Sequence, residues 1–165
     1  MKGASRQLVI RVSGLWFLVS GFCMPTFSRF EDIEAWQLAR ETARRVFQVS
    51  ARNSFSRDFA LRSQIRRAAS SVMSNIAEGF ERDGSREFRQ FLAVAKGSVG
   101  ELLSHLYIAR DQAFLEPAEF EEIAQLIRRT GAALGALIRY LSGSPLEGRK
   151  FVPRNQRRET RDQKP

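Results

Sequence analysis

Side-chain catalysis needs a nucleophile beside a base, an acid–base pair, or a set of metal ligands. This chain is poor in all three. One histidine, His105, and one cysteine, Cys23, are too few for a disulfide framework or an ordinary Cys/His zinc site. A di-iron centre in a helical bundle takes Glu-x-x-His from two helices and a Glu from each of the others. Glu101 precedes His105 by four residues and no second histidine exists, so that site is excluded and His105 reads as a packing residue. Glu78 and Glu101 could face each other, but a carboxylate pair alone is a weak signal. Gly79 and Gly84 bracket Glu-Arg-Asp with no strand before them and no Lys-Ser/Thr after them. They read as a turn, not a phosphate loop. Neither an enzymatic activity nor a cofactor is expected.

What remains is cationic chemistry. The net charge of +9 is uneven: residues 26–143 hold 17 basic and 15 acidic groups, residues 1–25 three and none, residues 144–165 seven and three. Within the folded part, Arg40, Arg44 and Arg45 cluster on a first helix and Arg62 and Arg66 lie one turn apart on a second. Arg86, Arg89 and Lys96 share a face of a third. These are the candidate nucleic-acid contacts, RNA or DNA. Phosphate affinity grows with the number of charges neutralised, so a modest set repeated around an oligomer would add up. No aromatic-rich surface for stacking bases is legible, which predicts backbone rather than sequence recognition.

The elements that carry these groups follow from apolar spacing. Ile65, Ala69, Val72, Ile76 and Phe80 recur at helical steps, as do Phe88, Leu92, Ala95, Val99, Leu102 and Leu106. A first helix, opened by a Ser28/Glu31 capping box, buries Trp36, Ala39, Ala43, Val46/Phe47 and Ser50. Ser56 is expected to cap the second helix, which runs to about Glu78, and Ser85 the third, about Arg86 to Ala113. Pro117 suits the first turn of a fourth that buries Phe120, Ile123, Ile127, Thr130, Leu134, Leu137 and Leu141 and stops at Gly143 and Pro145. The fold class is therefore all-α: an antiparallel up-down-up-down four-helix bundle over residues 26–143, with disordered or irregular tails.

The backs of helices two and three are unusual. Arg67, Ser70, Ser71, Ser74 and Glu78 lie opposite one apolar seam, and Ala93, Gly97, Gly100 and Ser104 opposite the other. Mid-helix glycine costs about 1 kcal/mol relative to alanine, so this face predicts close approach by another helix or subunit. Arg67 and Glu78, eleven residues apart, are about 16 Å apart along one helix. They cannot pair with each other, and each is expected to be partly buried against a neighbouring helix.

Residues 1–25 differ from the rest. Lys2 and Arg6 precede apolar residues as in a secretory segment, yet Arg11 interrupts the run. The stretch Val12 to Cys23 falls short of the ~20 residues that span a bilayer. Met24 is expected to be the natural start of a cytoplasmic protein with no membrane partner. The arginine-rich segment 144–165 reads as disordered.

Two runs carry a family resemblance. Gln64, Arg66, Arg67, Ala68 and Ser71 lead into Asn75 to Gly79. Phe88, Phe91, Leu92, Ala95, Gly97, Ser98, Glu101 and Leu102 follow. Across roughly Phe30 to Ser142 the pattern resembles the 23S rRNA intervening-sequence proteins, although Ser70 to Ser74 departs where that family tends to place proline or alanine. The resemblance implies a bacterial four-helix bundle assembled as a homopentameric ring, with no established enzymatic activity. It also implies similarity to accessory subunits of diversity-generating retroelements, which associate with a reverse transcriptase and nucleic acid.

Overall fold

Four amphipathic segments, each with one apolar stripe, bury those stripes against one another. The computed structural model describes residues 9–12, 15–18, 27–82 and 84–143. Its helices are α1 (Glu34–Val49), α2 (Phe59–Glu81), α3 (Ser85–Asp111) and α4 (Pro117–Gly143). Partners across each seam run in opposite orders, which fixes the directions. Thr42 meets Thr130 while Arg45 and Arg52 meet Glu122 and Glu119, so α1 and α4 are antiparallel. Ser71 meets Ser98 and Phe80 meets Phe88 across α2 and α3. Tyr107 meets Phe120, and Val99 lies against Gly131, across α3 and α4.

Every apolar position expected on α2, α3 and α4 is buried, with Ile65, Ile76, Phe88, Leu92, Leu106, Ile123, Ile127 and Leu134 fully so. The midplane carries one polar pair, Thr42 Oγ1 and Thr130 Oγ1, 3.2 Å apart. Each hydroxyl also lies within hydrogen-bond reach of the carbonyl four residues back, Leu38 at 2.8 Å and Leu126 at 2.9 Å. One threonine donates to its carbonyl and the other can donate across the seam, so both oxygens are satisfied without water. The space that the pair shares with Ala39, Val72 and Leu102 is too small to admit a water molecule.

The caps differ from the expected residues, by five positions at α1, whose N-cap is Ile33, by two at α2 and by one at α3. Ahead of α1, Phe30–Asp32 forms a 3-10 turn in which the Arg29 backbone N–H donates to Asp32 Oδ2 at 3.2 Å. Phe30 sets its ring edge-on to Trp36 (5.1 Å between centroids), and this turn displaces the Ser28/Glu31 box. Ahead of α2, Phe55 is fully buried and stacks on Phe114, drawing Ser54–Arg57 into another 3-10 turn. The cap then falls to Asp58, whose Oδ1 accepts from the Leu61 N–H at 2.9 Å, while Ser56 Oγ donates to the Asn53 carbonyl. Gly84, not Ser85, is the N-cap of α3.

Gly79 is not a turn. It lies inside α2, where a Cβ would sit 2.5 Å from Phe91 Cβ and 2.9 Å from Phe88 Cδ2. Its missing side chain lets α3 approach. The N-terminal segment is also more regular than expected: β1 (Val9–Val12) pairs antiparallel with β2 (Leu15–Leu18), Val12 opposite Leu15. The rest of residues 1–25, and the expected disorder of 144–165, lie outside the described residues.

Candidate nucleic-acid interface

Charge separates the two halves of the bundle. Residues 34–81, from the start of α1 to the end of α2, hold eight arginines and five carboxylates. Residues 85–143, from α3 and α4, hold seven basic and seven acidic groups. Helical spacing puts Trp36, Arg40, Ala43 and Phe47 on one stripe of α1, and Phe59, Arg62, Arg66, Ser70 and Met73 on one stripe of α2. A surface groove of about 800 Å³ lies between the α1 stripe and the Ser70–Met73 end of the α2 stripe. It is lined by Trp36, Arg40, Arg44, Phe47, Ser70 and Met73 and also by Glu31 and Glu41. Phe59, Arg62 and Arg66 stand beyond it on the same face.

Aromatic rings alternate with guanidinium groups along this face. Arg62 lies 4.6 Å from the centroid of Phe59, Arg66 lies 4.8 Å from Phe47, and Arg40 lies 5.8 Å from Trp36. Phe59 is 70 % exposed and Phe47 43 %. Two of the arginines are also tied to backbone or loop. Arg62 Nη1 donates to the Ser56 carbonyl at 2.6 Å, and Arg66 Nε donates to Ser50 Oγ at 2.7 Å. The expectation of a surface without stacking aromatics is thereby corrected. Phe47 is not part of the buried stripe of α1: Val46 takes that place and turns Phe47 outward.

The other candidate cations have different settings. Arg44 forms two short contacts to Glu41, at 2.6 and 3.0 Å, and its guanidinium holds that carboxyl below the usual range. Arg45 does not belong with Arg40 and Arg44. Five residues beyond Arg40, it has turned about 140° round the helix and reaches Glu122 of α4 at 2.6 Å. Arg52 joins the same seam through Glu119 at 2.6 Å, lowering that carboxyl as well. Arg86, Arg89 and Lys96 do not line the groove, and they form no ion pair among the described residues.

On the α2–α3 back face the structure brings one pair together. Ser71 Oγ lies 2.9 Å from Ser98 Oγ, and Asn75 Nδ2 donates to the Ser71 carbonyl at 2.8 Å. Arg67, Ser74 and Glu78 are exposed, as are Ala93, Gly97, Gly100 and Ser104. Glu78 accepts from Arg82 Nη2, one turn on in its own helix, at 2.9 Å. The expected burial of Arg67 and Glu78 against another helix therefore does not occur within the chain, because no helix of the bundle covers this side. A Cβ at Gly97 or Gly100 would meet nothing within 4 Å. Val94 (55 % exposed) and Ile108 (44 %) extend the bare surface of α3.

His105 sits half-buried, with Nε2 3.5 Å from Glu101 Oε1. Among the described residues no three His, Cys, Asp or Glu side chains gather as metal ligands. No described helix is long and apolar enough to cross a membrane.

These features define a class: a four-helix bundle with an apolar core, its charged groups and two phenylalanines, Phe47 and Phe59, on its outward faces. Residues 31–136 match the family described as 23S rRNA-intervening sequence protein, and the chain belongs to that family. A crystal structure at 1.70 Å of a protein of unknown function from Bacteroides thetaiotaomicron VPI-5482, assigned to the S23 ribosomal protein family, has the same fold. It is 19 % identical, with a TM-score of 0.58, over 63 % of this chain and 97 % of that one. No curated protein matches the chain. The motif residues of α2 now have structural reasons. Ser71 and Asn75 tie α2 to α3, and Gly79 admits Phe91.

Proposed function

We propose that this protein is a non-enzymatic, oligomeric nucleic-acid-binding module, an accessory to a ribonucleoprotein, acting in the cytoplasm. The observation that carries the reading is the charge asymmetry: eight arginines against five carboxylates in residues 34–81, and balance in residues 85–143. A one-sided cationic surface attracts polyphosphate through counterion release, with little dependence on base sequence. The names of the family and of its crystallised relative, both ribosomal, favour RNA as the partner. Self-association fits the uncovered α2–α3 face, with Gly97 and Gly100 open to a neighbour. A homopentamer is the form the family resemblance implies.

A salt titration of the full chain on generic RNA and DNA tests this. Affinity should fall linearly in the logarithm of salt concentration. Absence of binding at low salt would sink the reading. The second reading is a scaffold for another protein, such as a reverse transcriptase, with nucleic acid incidental. Exposed Val94 and Ile108 favour it, and it would show as partner binding insensitive to nuclease.

A further inference from the structure

We infer that the outward α1–α2 face is a single-strand site, in which unpaired bases stack on Phe47 and Phe59 while arginines hold the phosphates. This rests on the nucleic-acid reading and narrows its substrate class. Three observations carry it. The face belongs to the half of the chain that holds the positive excess, with Arg40, Arg62 and Arg66 on it, while Glu31 and Glu41 balance the charge of the groove beside Phe47. The face carries two large aromatic rings open to solvent, Phe59 at 70 % and Phe47 at 43 % exposure, where a bundle would ordinarily place polar groups. Each ring has a guanidinium on it, Arg62 at 4.6 Å and Arg66 at 4.8 Å, and Arg40 repeats the arrangement on Trp36 at the far end.

The alternation suits a strand. Every base has a π-face, so ring stacking tolerates any sequence, and arginine adds to it both as a cation and as a flat partner. A duplex keeps its bases stacked inside and has none to offer these rings. From Phe59 to Met73 the α2 stripe runs roughly 21 Å, room for several nucleotides. Arg62 and Arg66 are pre-positioned by their bonds to the Ser56 carbonyl and Ser50 Oγ, so little side-chain freedom is lost on binding. A guanidinium on a ring keeps its full charge for phosphate. Those of Arg45 and Arg52, held by carboxylates on the α4 side, do not.

The test is fluorescence anisotropy of the full chain with a labelled 15-nucleotide oligo(U) and with a blunt RNA duplex of equal length. Oligo(U) should bind more tightly than the duplex. Phe47→Ala and Phe59→Ala should each weaken oligo(U) binding by roughly 5- to 100-fold, the range for removing one stacking ring. Both should leave duplex binding and the salt slope unchanged. Equal affinity for strand and duplex, with neutral phenylalanine variants, would overturn the single-strand site but leave the nucleic-acid reading standing. No binding of either probe at low salt would overturn both. A change of oligomeric state in Phe47→Ala, read by light scattering, would assign the face to a second copy of the chain and overturn this inference. Circular dichroism confirms that each variant is folded.

Discussion

Helix α2 has two outward faces, and they solve opposite problems. Toward α1, the exposed groups find partners inside the chain: Arg62 rests on Phe59, and Arg66 spans Phe47 and Ser50. Toward α3, beyond the single Ser71–Ser98 bond, the surface is small and bare, with open space over Gly97 and Gly100. A face furnished with ordered cations is prepared for a charged ligand. Mid-helix glycine and serine on this face give up helix propensity for flatness, which the proposed self-association would use to seat another backbone. The two faces should therefore fail separately.

The largest effect should come from charge. Arg40→Glu with Arg44→Glu reverses two groups of the α1–α2 face without touching the ties of Arg62 and Arg66. Affinity for oligo(U) at low salt should fall about 10- to 100-fold, and the slope of log affinity against log salt should flatten by about 0.7 for each phosphate no longer neutralised. The same reversal at Arg128 and Arg139 on α4 should change affinity far less. Equal losses from both pairs would mean that the whole surface, not one face, attracts the ligand.

The bare face has its own test. Gly97→Leu with Gly100→Leu starts from positions where a Cβ meets no atom of the chain within 4 Å, so the bundle itself should stay folded. Light scattering should then report smaller particles, because two leucines obstruct the approach of a second copy. An unchanged assembly would make this face ordinary solvent surface.

The helices are legible in the sequence because burial in a bundle imposes a period that a single chain displays. Ile65, Ala69, Val72, Ile76 and Phe80 are all inside, as their spacing requires. What lies across a seam has no such signature. Arg45 finds Glu122 77 residues away, and Arg66 finds Ser50 across a loop whose shape depends on buried Phe55. For the same reason one member of the cation–aromatic series is hidden in the sequence: Phe47 and Arg66 are far apart along the chain and meet only once α1 and α2 are paired. Trp36–Arg40 and Phe59–Arg62, by contrast, are neighbours on one helix. The caps of α1 and α2 fall beyond their expected places because a 3-10 turn, Phe30–Asp32 or Ser54–Arg57, comes before each helix.

Gly79 and Gly97 make the comparison finer. Both are mid-helix, yet only Gly79 is pressed, with Phe91 Cβ 2.5 Å from where its own Cβ would be. Gly79→Ala should destabilise by about 1–3 kcal/mol, as overpacking does, measured by denaturant unfolding. Gly97→Ala should be neutral or gain up to about 1 kcal/mol of helix propensity in the unassembled chain. Matching losses at both would show that α2–α3 closeness extends along the whole face.

The smallest effect belongs to the α1–α4 seam, where cations are neutralised by carboxylates and no ligand role is expected. Arg52 donates to Glu119 Oε1 at 2.6 Å, and that hydrogen bond holds the Glu119 carboxyl below its ordinary value. A carboxyl with a lowered folded-state pKa adds stability that is fully present above its unfolded value, about 4.3. That stability is lost as the pH falls through the lower folded-state value, because the unfolded chain takes up the proton first. The pair is partly open to solvent, with Arg52 52 % and Glu119 29 % exposed in their side chains, so its contribution should stay below about 1 kcal/mol. Glu119→Gln should therefore lower stability slightly at pH 7. The difference from the parent should shrink to nothing as the pH is taken well below about 4, followed by urea unfolding at each pH. Oligo(U) affinity, with Arg52 now released, should hold or rise slightly. A fall would mean that this seam also shapes the ligand face.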